Sequence, residues 1–412
     1  MGDLAAEQFV GPQQPRGVPG AKFLRAVERA LAPLKDVPAH GNRTLHLHPL
    51  VVTLVTAFYD PLIRSLRAIE AHTSCDAVEP LTDAAVRRMA RSTTSDALAA
   101  FDPELLRSVI DDLQRQVPDL RHADPKLQGI VKRIVAADGS YFSTFADVTW
   151  ALHHTKSNGR TQGQVRLNLQ MSAADWVPHV VSVSGGEPGR DGSEPDAFAR
   201  DLLEGVLYVV DRNFIDFDFL KALLARDNDV VLRVRGNAPA YDVLESRPLT
   251  IEDVEAGVTA DHRVRLTGRG APAGTFRIVE VRHASMPGEL VRLLTNLTDA
   301  GAVPAHVVGA AYRQRWQVEL FFRWLKVWCN FDHLLSTSRA GITTQFYVIV
   351  IATLLMYIHL GRRVSKYTLI ALRLIAAGRA TPEQMEAFLA RRDRERDLER
   401  ARRAKRAAAK NA

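Results

Sequence analysis

The spacing of apolar residues between positions 129 and 234 is the feature that most constrains the fold. Apolar and polar residues alternate over 165–171, with apolar runs at 129–137 and 177–183, which predicts three successive strands. A helix at 196–204, a strand at 206–210, a helix at 216–226 and a strand at 230–234 are predicted to follow. Strands in succession and then helices alternating with strands predict the α/β class, a mixed sheet with flanking helices.

The regions on either side have other patterns. Apolar spacing predicts helices at Ala21–Leu34, Leu50–Ile69, Thr82–Arg91 and Pro103–Gln116. Pro, Gly and short alternating segments dominate 236–300, and helical spacing returns from Pro304. The predicted organisation is a disordered segment at 1–20, a helical N-terminal domain with a possible DNA-binding role at 21–125, a central domain at 126–235 and 301–362, a β-rich insertion at 236–300, and a helical C-terminal region with a basic tail at 363–412.

Charge and cysteine content narrow the function classes. The net charge is +7, and residues 391–412 carry ten Arg or Lys and four Asp or Glu, so the excess is concentrated in the tail. A positively charged tail of this kind is typical both of segments that bind DNA and of solvated helices, so its charge does not decide between them. Cys75 and Cys329 are the only cysteines, and neither has a second Cys or a paired His nearby in the sequence, so the sequence supports neither a disulfide framework nor a zinc site. A bound metal would therefore have oxygen ligands.

No membrane segment is expected from the sequence. The apolar run at 346–358 has 13 residues, fewer than a bilayer span needs, and is predicted to be a buried helix. The N-terminus lacks the charged and then apolar pattern of a leader. We therefore expect a cytoplasmic protein with no membrane partner.

Two aspartates are predicted to lie where strands end. Asp211 directly follows the apolar run 207–210, and Asp138 follows 134–137 and precedes Gly139 and Ser140. Ligand groups are common at the carboxyl ends of strands in α/β sheets. Each aspartate by itself is more often a turn or cap residue, so a third element is needed to choose between the readings.

That element is a helix predicted over 310–328. At 100° per residue, four polar side chains fall within an arc of roughly 60°, while apolar residues occupy most of the remaining circumference. The four are Tyr312, Arg315, Glu319 and Lys326. An ordinary ion pair between Arg315 and Glu319 would explain only two of them.

The spacing of these four residues resembles the Y-R-E-K signature of the insertion-sequence-four family of bacterial DDE transposases. The segments Asp138-Gly139-Ser140 and Asp211-Arg212-Asn213-Phe214 resemble the family's other two acidic motifs. The resemblance covers about 130–360 and implies a ribonuclease-H-like catalytic domain interrupted by a β-rich insertion.

The resemblance also implies the chemistry. Asp138, Asp211 and Glu319 would be the catalytic residues and metal ligands, while Tyr312, Arg315 and Lys326 would bind DNA. Three converging carboxylates repel one another unless they hold cations, and hard oxygen ligands suit two Mg²⁺ ions, or Mn²⁺. The expected partners are the terminal inverted repeats of a transposon, target DNA and a second copy of the chain in a homodimer. The expected activity is cut-and-paste DNA transposition.

Two alternative functions stay open from the sequence. A metal-dependent nuclease or resolvase of the same fold would share the three carboxylates and lack strand joining. A non-catalytic DNA-binding protein derived from a transposase would lack cleavage altogether.

Overall fold

The fold was analysed in a computed structural model. It describes residues 27–38, 44–60, 63–74, 88–118, 127, 129–130, 134–145, 148–155, 161–186, 192–236, 239–282, 289–328, 334–361, 364–376 and 379–411. The disorder predicted at 1–20, most of the helix predicted at 82–91 and both cysteines lie outside these residues. The chain divides into two compact units, Met1–Ala90 with Val364–Ala412, and Arg91–Arg363.

The first unit is helical in its described parts. It contains α1 (27–31), a 3₁₀ helix (Ala32–Asp36), α2 (Leu47–Tyr59), α3 (Leu66–Thr73), α12 (Lys366–Ala376) and α13 (Pro382–Asn411). The single helix predicted over 50–69 is wrong. Helix α2 ends at Tyr59 because Asp60, which precedes Pro61, is extended, and Ser65 caps a new helix by accepting from the Ala68 amide at 3.1 Å.

The second unit contains the predicted strands and their helices. In chain order it has α4 (Arg91–Ala100), a 3₁₀ helix (Pro103–Leu106), α5 (Arg107–Gln116), β1 (Ile134–Thr144), β2 (Leu152–Thr155), β3 (Thr161–Ser172), β4 (Pro178–Ser184), α6 (Glu194–Ala199), β5 (Leu207–Val210), a 3₁₀ helix (Arg212–Phe214), α7 (Phe217–Leu224), β6 (Asp229–Arg233), β7 (Tyr241–Ser246), α8 (Ile251–Glu255), β8 (Val258–Leu266), β9 (Phe276–Arg282), β10 (Leu290–Thr295), α9 (Ala305–Arg313), α10 (Trp316–Arg323), a π-helical turn (Trp324–Trp328) and α11 (Arg339–Leu360).

The strands form one ten-stranded mixed sheet in the order β2-β3-β1-β5-β6-β10-β9-β8-β7, with β4 paired to β3. Strands β1, β3 and β4 are antiparallel neighbours, whereas β1, β5 and β6 are parallel. The predicted mixed sheet with flanking helices is confirmed, and an antiparallel meander beside two parallel strands is the ribonuclease-H-like arrangement. Strands β7 to β10, from the β-rich segment, continue the same sheet because β10 pairs with β6.

The two faces of the sheet have different surroundings. One face packs Val135, Ala137, Tyr208 and Val210 against apolar side chains of α6 and α7. The opposite face carries Phe142, whose ring centroid lies 5.0 Å from that of Phe346 on α11. Both faces are therefore covered, and Asp138, which alternates with Val135 and Ala137 along β1, belongs to the second face.

Strand β3 shows how polar residues are buried between these layers. Arg166, Asn168 and Gln170 alternate with the apolar residues of β3 and are all buried. Arg166 donates to the Asn168 amide oxygen at 2.9 Å, and the Tyr208 hydroxyl donates to Gln170 at 2.5 Å. The alternation of apolar and polar residues correctly predicts a strand here. The polar side chains of this strand, however, form hydrogen bonds inside the protein and do not face water.

Helix α11 contains the apolar run predicted to be buried. It is the one described helix long and apolar enough to cross a bilayer, and 89% of its most apolar window is buried inside the protein. It packs against α4, α5 and β4, so it serves as a core helix of the second unit.

Candidate active site

Asp138 and Asp211 lie side by side on neighbouring parallel strands. In the register of β1 with β5, Ala136 pairs with Val209. Asp138 is two residues further along β1, and Asp211 is two residues beyond Val209, directly after the end of β5. Because side chains alternate between faces, both aspartates belong to the face opposite the core formed by Val135 and Val210. The sheet therefore brings two carboxylates from distant parts of the chain to one level and one face.

The prediction that Asp138 lies at the end of a strand is wrong. Strand β1 continues to Thr144, and Asp138 pairs with Leu169 of β3 in the middle of the strand. Asp211, as expected, directly follows β5, and its carboxylate accepts a hydrogen bond from the Asn213 amide.

Asp138 is a partly buried carboxyl group with other acidic side chains nearby. Burial is the main cause that raises its pKa to about 7, with Glu194 and Asp211 also raising it. Arg315 and the Gly139 amide act in the opposite direction. Burial and the two acidic neighbours therefore raise the pKa of Asp138 by more than Arg315 and the Gly139 amide lower it.

The segment carrying Tyr312, Arg315 and Glu319 is not the single helix predicted over 310–328. Helix α9 ends at Arg313 and α10 begins at Trp316, with tight bonds from the Arg315 amide to Tyr312 O and from Val318 to Arg315 O. The backbone stays right-handed at Arg315, so the side chains before and after the break still meet.

Arg315 contacts three other residues of the candidate site. Its guanidinium pairs with the Glu319 carboxylate, lies 3.5 Å from Asp138 Oδ2, and sits 6.0 Å from the centroid of the Tyr312 ring. The Arg315 guanidinium therefore interacts with two carboxylates, those of Glu319 and Asp138. The interaction of Arg315 is thus not limited to an i,i+4 ion pair with Glu319.

Lys326 departs from the predicted stripe. It lies in the π-helical turn, whose wider winding rotates it away from the position expected for an α-helix. Its ammonium lies 4.8 Å from the ring centroid of Phe142, four residues after Asp138 on β1. Burial lowers the pKa of Lys326, and among the described residues it has no ion-pair partner.

Glu194, the first residue of α6, is a neighbour that the sequence analysis missed. Its Oε1 is buried without a hydrogen-bond partner among the described residues, and it occupies the space that a side chain at Gly139 would fill. Burial chiefly raises the pKa of Glu194, Arg166 lowers it, and Asp211 raises it. Ser193 and Asp196 form a capping box that marks the start of α6, but this signal does not reveal that the helix begins beside Gly139.

The donor chemistry of these residues fits a divalent cation. In the described part of the chain, no three His, Cys, Asp or Glu side chains stand in a ready metal-binding arrangement. The carboxylates of Asp138 and Glu319 nevertheless share Arg315 as an ion-pair partner, and burial together with the nearby charge of Asp211 raises the pKa of Asp138. Hard cations with oxygen ligands relieve such repulsion.

The family model described as "Transposase DDE domain" matches residues 115–355, more than half of the chain. The chain belongs to this family. The matched span of this DDE transposase domain includes Asp138, Asp211 and Glu319. The finer assignment to the insertion-sequence-four family stays a prediction.

The domain is similar to three curated proteins. It is 25% identical over 221 residues to "Putative transposase y4zB" of Sinorhizobium fredii, covering 53% of this chain and 59% of that protein. It is 26% identical over 209 residues to "Probable transposase for insertion sequence element IS5377" of Geobacillus stearothermophilus, covering 50% and 51%. It is 23% identical over 270 residues to "Putative transposase for insertion sequence element IS4SA" of Synechocystis sp., covering 64% and 70%. The chain thus spans between half and three fifths of the length of the first two.

Among solved structures, a cryo-EM structure of a piggyBac transposase synaptic complex with hairpin DNA is similar. Identity is 12% and the TM-score is 0.43, with 90% of this chain and 79% of that chain covered.

Proposed function

We propose that the chain is a cut-and-paste DNA transposase that cleaves phosphodiester bonds at the ends of an insertion sequence and joins those ends to target DNA. The observation that carries the proposal is the charge-coupled group in which Arg315 connects Glu319 to Asp138, which stands beside Asp211 on the next parallel strand. Membership of the DDE transposase family supports the same reading.

The catalytic assignment follows from the chemistry of the side chains. Asp138, Asp211 and Glu319 would hold two Mg²⁺ ions, or Mn²⁺. When bound, such ions supply Lewis acidity at the phosphate and favour deprotonation of the attacking hydroxyl. Cleavage uses water as the nucleophile and joining uses a 3′-hydroxyl, each displacing an oxygen in line at phosphorus. No covalent bond to the enzyme is required.

The remaining polar side chains position the DNA. Arg315 can form two parallel hydrogen bonds to a phosphate, whereas Lys326 contributes a point charge. Tyr312 has its hydroxyl near Arg315, and burial raises the pKa of this phenol, so it would donate a hydrogen bond as a neutral group. These roles require anionic ligands, which a transposon end supplies.

The domain roles belong to the same proposal. Residues 126–235 and 301–362 would form the catalytic domain, 236–300 its β-rich insertion, 21–125 a DNA-recognition domain, and 363–412 a basic C-terminal region. Terminal inverted repeats and target DNA would be the partners, with a homodimer bringing two ends together in the cytoplasm.

The decisive experiment is Mg²⁺-dependent cleavage of DNA that carries the inverted repeats flanking the gene, followed by joining of pre-cut ends. Wild-type protein should do both, and Glu319→Ala should do neither while still binding DNA without metal. Glu255→Ala, which changes an exposed glutamate on α8, is the matched control and should keep both activities.

The outcomes separate the alternatives. Cleavage without joining would identify a nuclease or resolvase. DNA binding without cleavage would identify a non-catalytic descendant. Retained cleavage by Glu319→Ala would remove this residue from the mechanism.

A further inference from the structure

Four arginines surround a cavity next to the candidate active site. The cavity has a volume of about 330 Å³ and is lined by Arg212, Arg233, Arg235 and Arg292, together with Val234, Gly236 and Leu290. The arginines come from three places in the chain, the segment after β5, the end of β6 and strand β10. Among the described residues, neither a carboxylate nor an aromatic ring lines this cavity.

The positive charge in this arginine cavity is only partly compensated. Arg292 pairs with Glu280 at 2.7 Å and donates to the Gly236 carbonyl at 2.8 Å, while Arg235 donates to the neutral Asn213 amide oxygen at 2.8 Å. Within the described part of the chain, Arg212 and Arg233 have no carboxylate partner. The guanidinium groups of Arg212, Arg233 and Arg235 thus line one cavity, and none of them is paired with a carboxylate of the described residues.

Solvated arginines are common on protein surfaces, but they are usually spread out or paired with acids. Here the like charges line one concave surface, which concentrates the electric field and favours an anion. Because the described lining residues offer guanidinium groups and no aromatic ring that could stack on a base, the chemistry favours recognition of phosphate over recognition of a nucleobase.

The arginine cavity adjoins the candidate active site. Arg212 directly follows Asp211, and Arg233 also lines a second cavity of about 470 Å³ with Tyr312 and Arg315. Arg282 and Arg313 belong to that second cavity too. The cationic surface therefore extends from Arg315, through Arg233, to Arg212 and Arg235.

We propose that the arginine cavity binds backbone phosphates of the DNA strand that passes through the active site, next to the phosphodiester bond that reacts. This inference rests on the proposed function and extends it, because it adds Arg212, Arg233 and Arg235 to the predicted DNA contacts. The ligand is a phosphodiester chain of any sequence. The cavity would fix the path of the strand relative to Asp211.

The test measures how DNA affinity depends on salt. Wild-type protein, Arg212→Ala, Arg235→Ala and the double variant are titrated with a fluorescent duplex in EDTA at several NaCl concentrations. Each lost phosphate contact should reduce the slope of log affinity against log salt by about 0.9. The same slope implies a Kd about eightfold higher at 0.1 M salt for each contact.

The matched control is Arg265→Ala, because Arg265 is exposed on β8 and lines neither cavity. It should leave the slope close to that of wild type. Arg212→Glu tests the sign of the effect and should weaken binding more than Arg212→Ala. Arg212 and Arg235 are exposed, so these variants should unfold at the wild-type temperature.

The result distinguishes this inference from the proposed function. If wild-type protein binds and cleaves DNA while the Arg212→Ala and Arg235→Ala slopes match that of Arg265→Ala, the arginine cavity is not a phosphate site and the proposed function stands. If wild-type protein neither binds nor cleaves DNA, both fall together.

Discussion

Replacing Gly139 by alanine should destabilise the second unit through one defined contact. A Cβ at this position would overlap Glu194 Oε1 and lie 3.0 Å and 3.2 Å from Cδ and Cγ of Arg166. Arg166 is only 6% exposed and the Oε1 atom of Glu194 is buried, so neither group can move freely into solvent. Overpacking of this kind costs about 1–3 kcal/mol. In a unit of this size, each kcal/mol lowers Tm by roughly 2 °C.

The assay is thermal unfolding of Gly139→Ala, Glu194→Ala and the double variant. Since Glu194→Ala empties the space that the new methyl group needs, the two changes should not add, with a coupling of about 0.5–3 kcal/mol. The control is Gly309→Ala within helix α9, where a Cβ would have neighbours no closer than 3.4 Å and should not lower Tm. If Gly139→Ala unfolds at the wild-type temperature, or lowers Tm equally in the Glu194→Ala background, the packing argument is wrong.

Three further predictions concern other parts of the chain. Arg277→Ala should cost about 3–5 kcal/mol of unfolding free energy in denaturant titration, because the fully buried Arg277 pairs with Asp261 at 2.6 Å. Arg263→Ala, in an exposed pair, should cost no more than about 1 kcal/mol, and equal losses would contradict the role of burial. Lys326→Ala should weaken metal-free binding of a transposon end in a gel-shift assay, and unchanged affinity would remove Lys326 from the DNA contacts. Deleting 391–410 should lower the salt dependence of non-specific DNA binding, whereas an unchanged slope would identify this tail as a solvated helix.

Local patterns in the sequence were sufficient to predict several of the strands and helices and to select the candidate site residues. Alternation along β3 and the apolar run before Asp211 predicted strands, because side-chain period and burial are properties of short segments. Thr381 and Gln384 have the spacing of a capping box, and they form the two reciprocal bonds of that motif at the start of α13. The i,i+4 relation of Arg315 to Glu319 is likewise local, and the two side chains meet.

Relations between distant segments were decided only by the tertiary structure. The length of β1 depends on its pairing with β3, so Asp138 lies within a strand where the sequence predicted the end of one. Tertiary packing likewise places Glu194 beside Gly139 and brings together the lining of the arginine cavity, which comes from the segment after β5, the end of β6 with the residues that follow it, and β10. Periodicity shows which face of an element is buried, but not which side chains from other elements cover that face. Register and packing determine those neighbours, and here they turn isolated aspartates and arginines into one charged site.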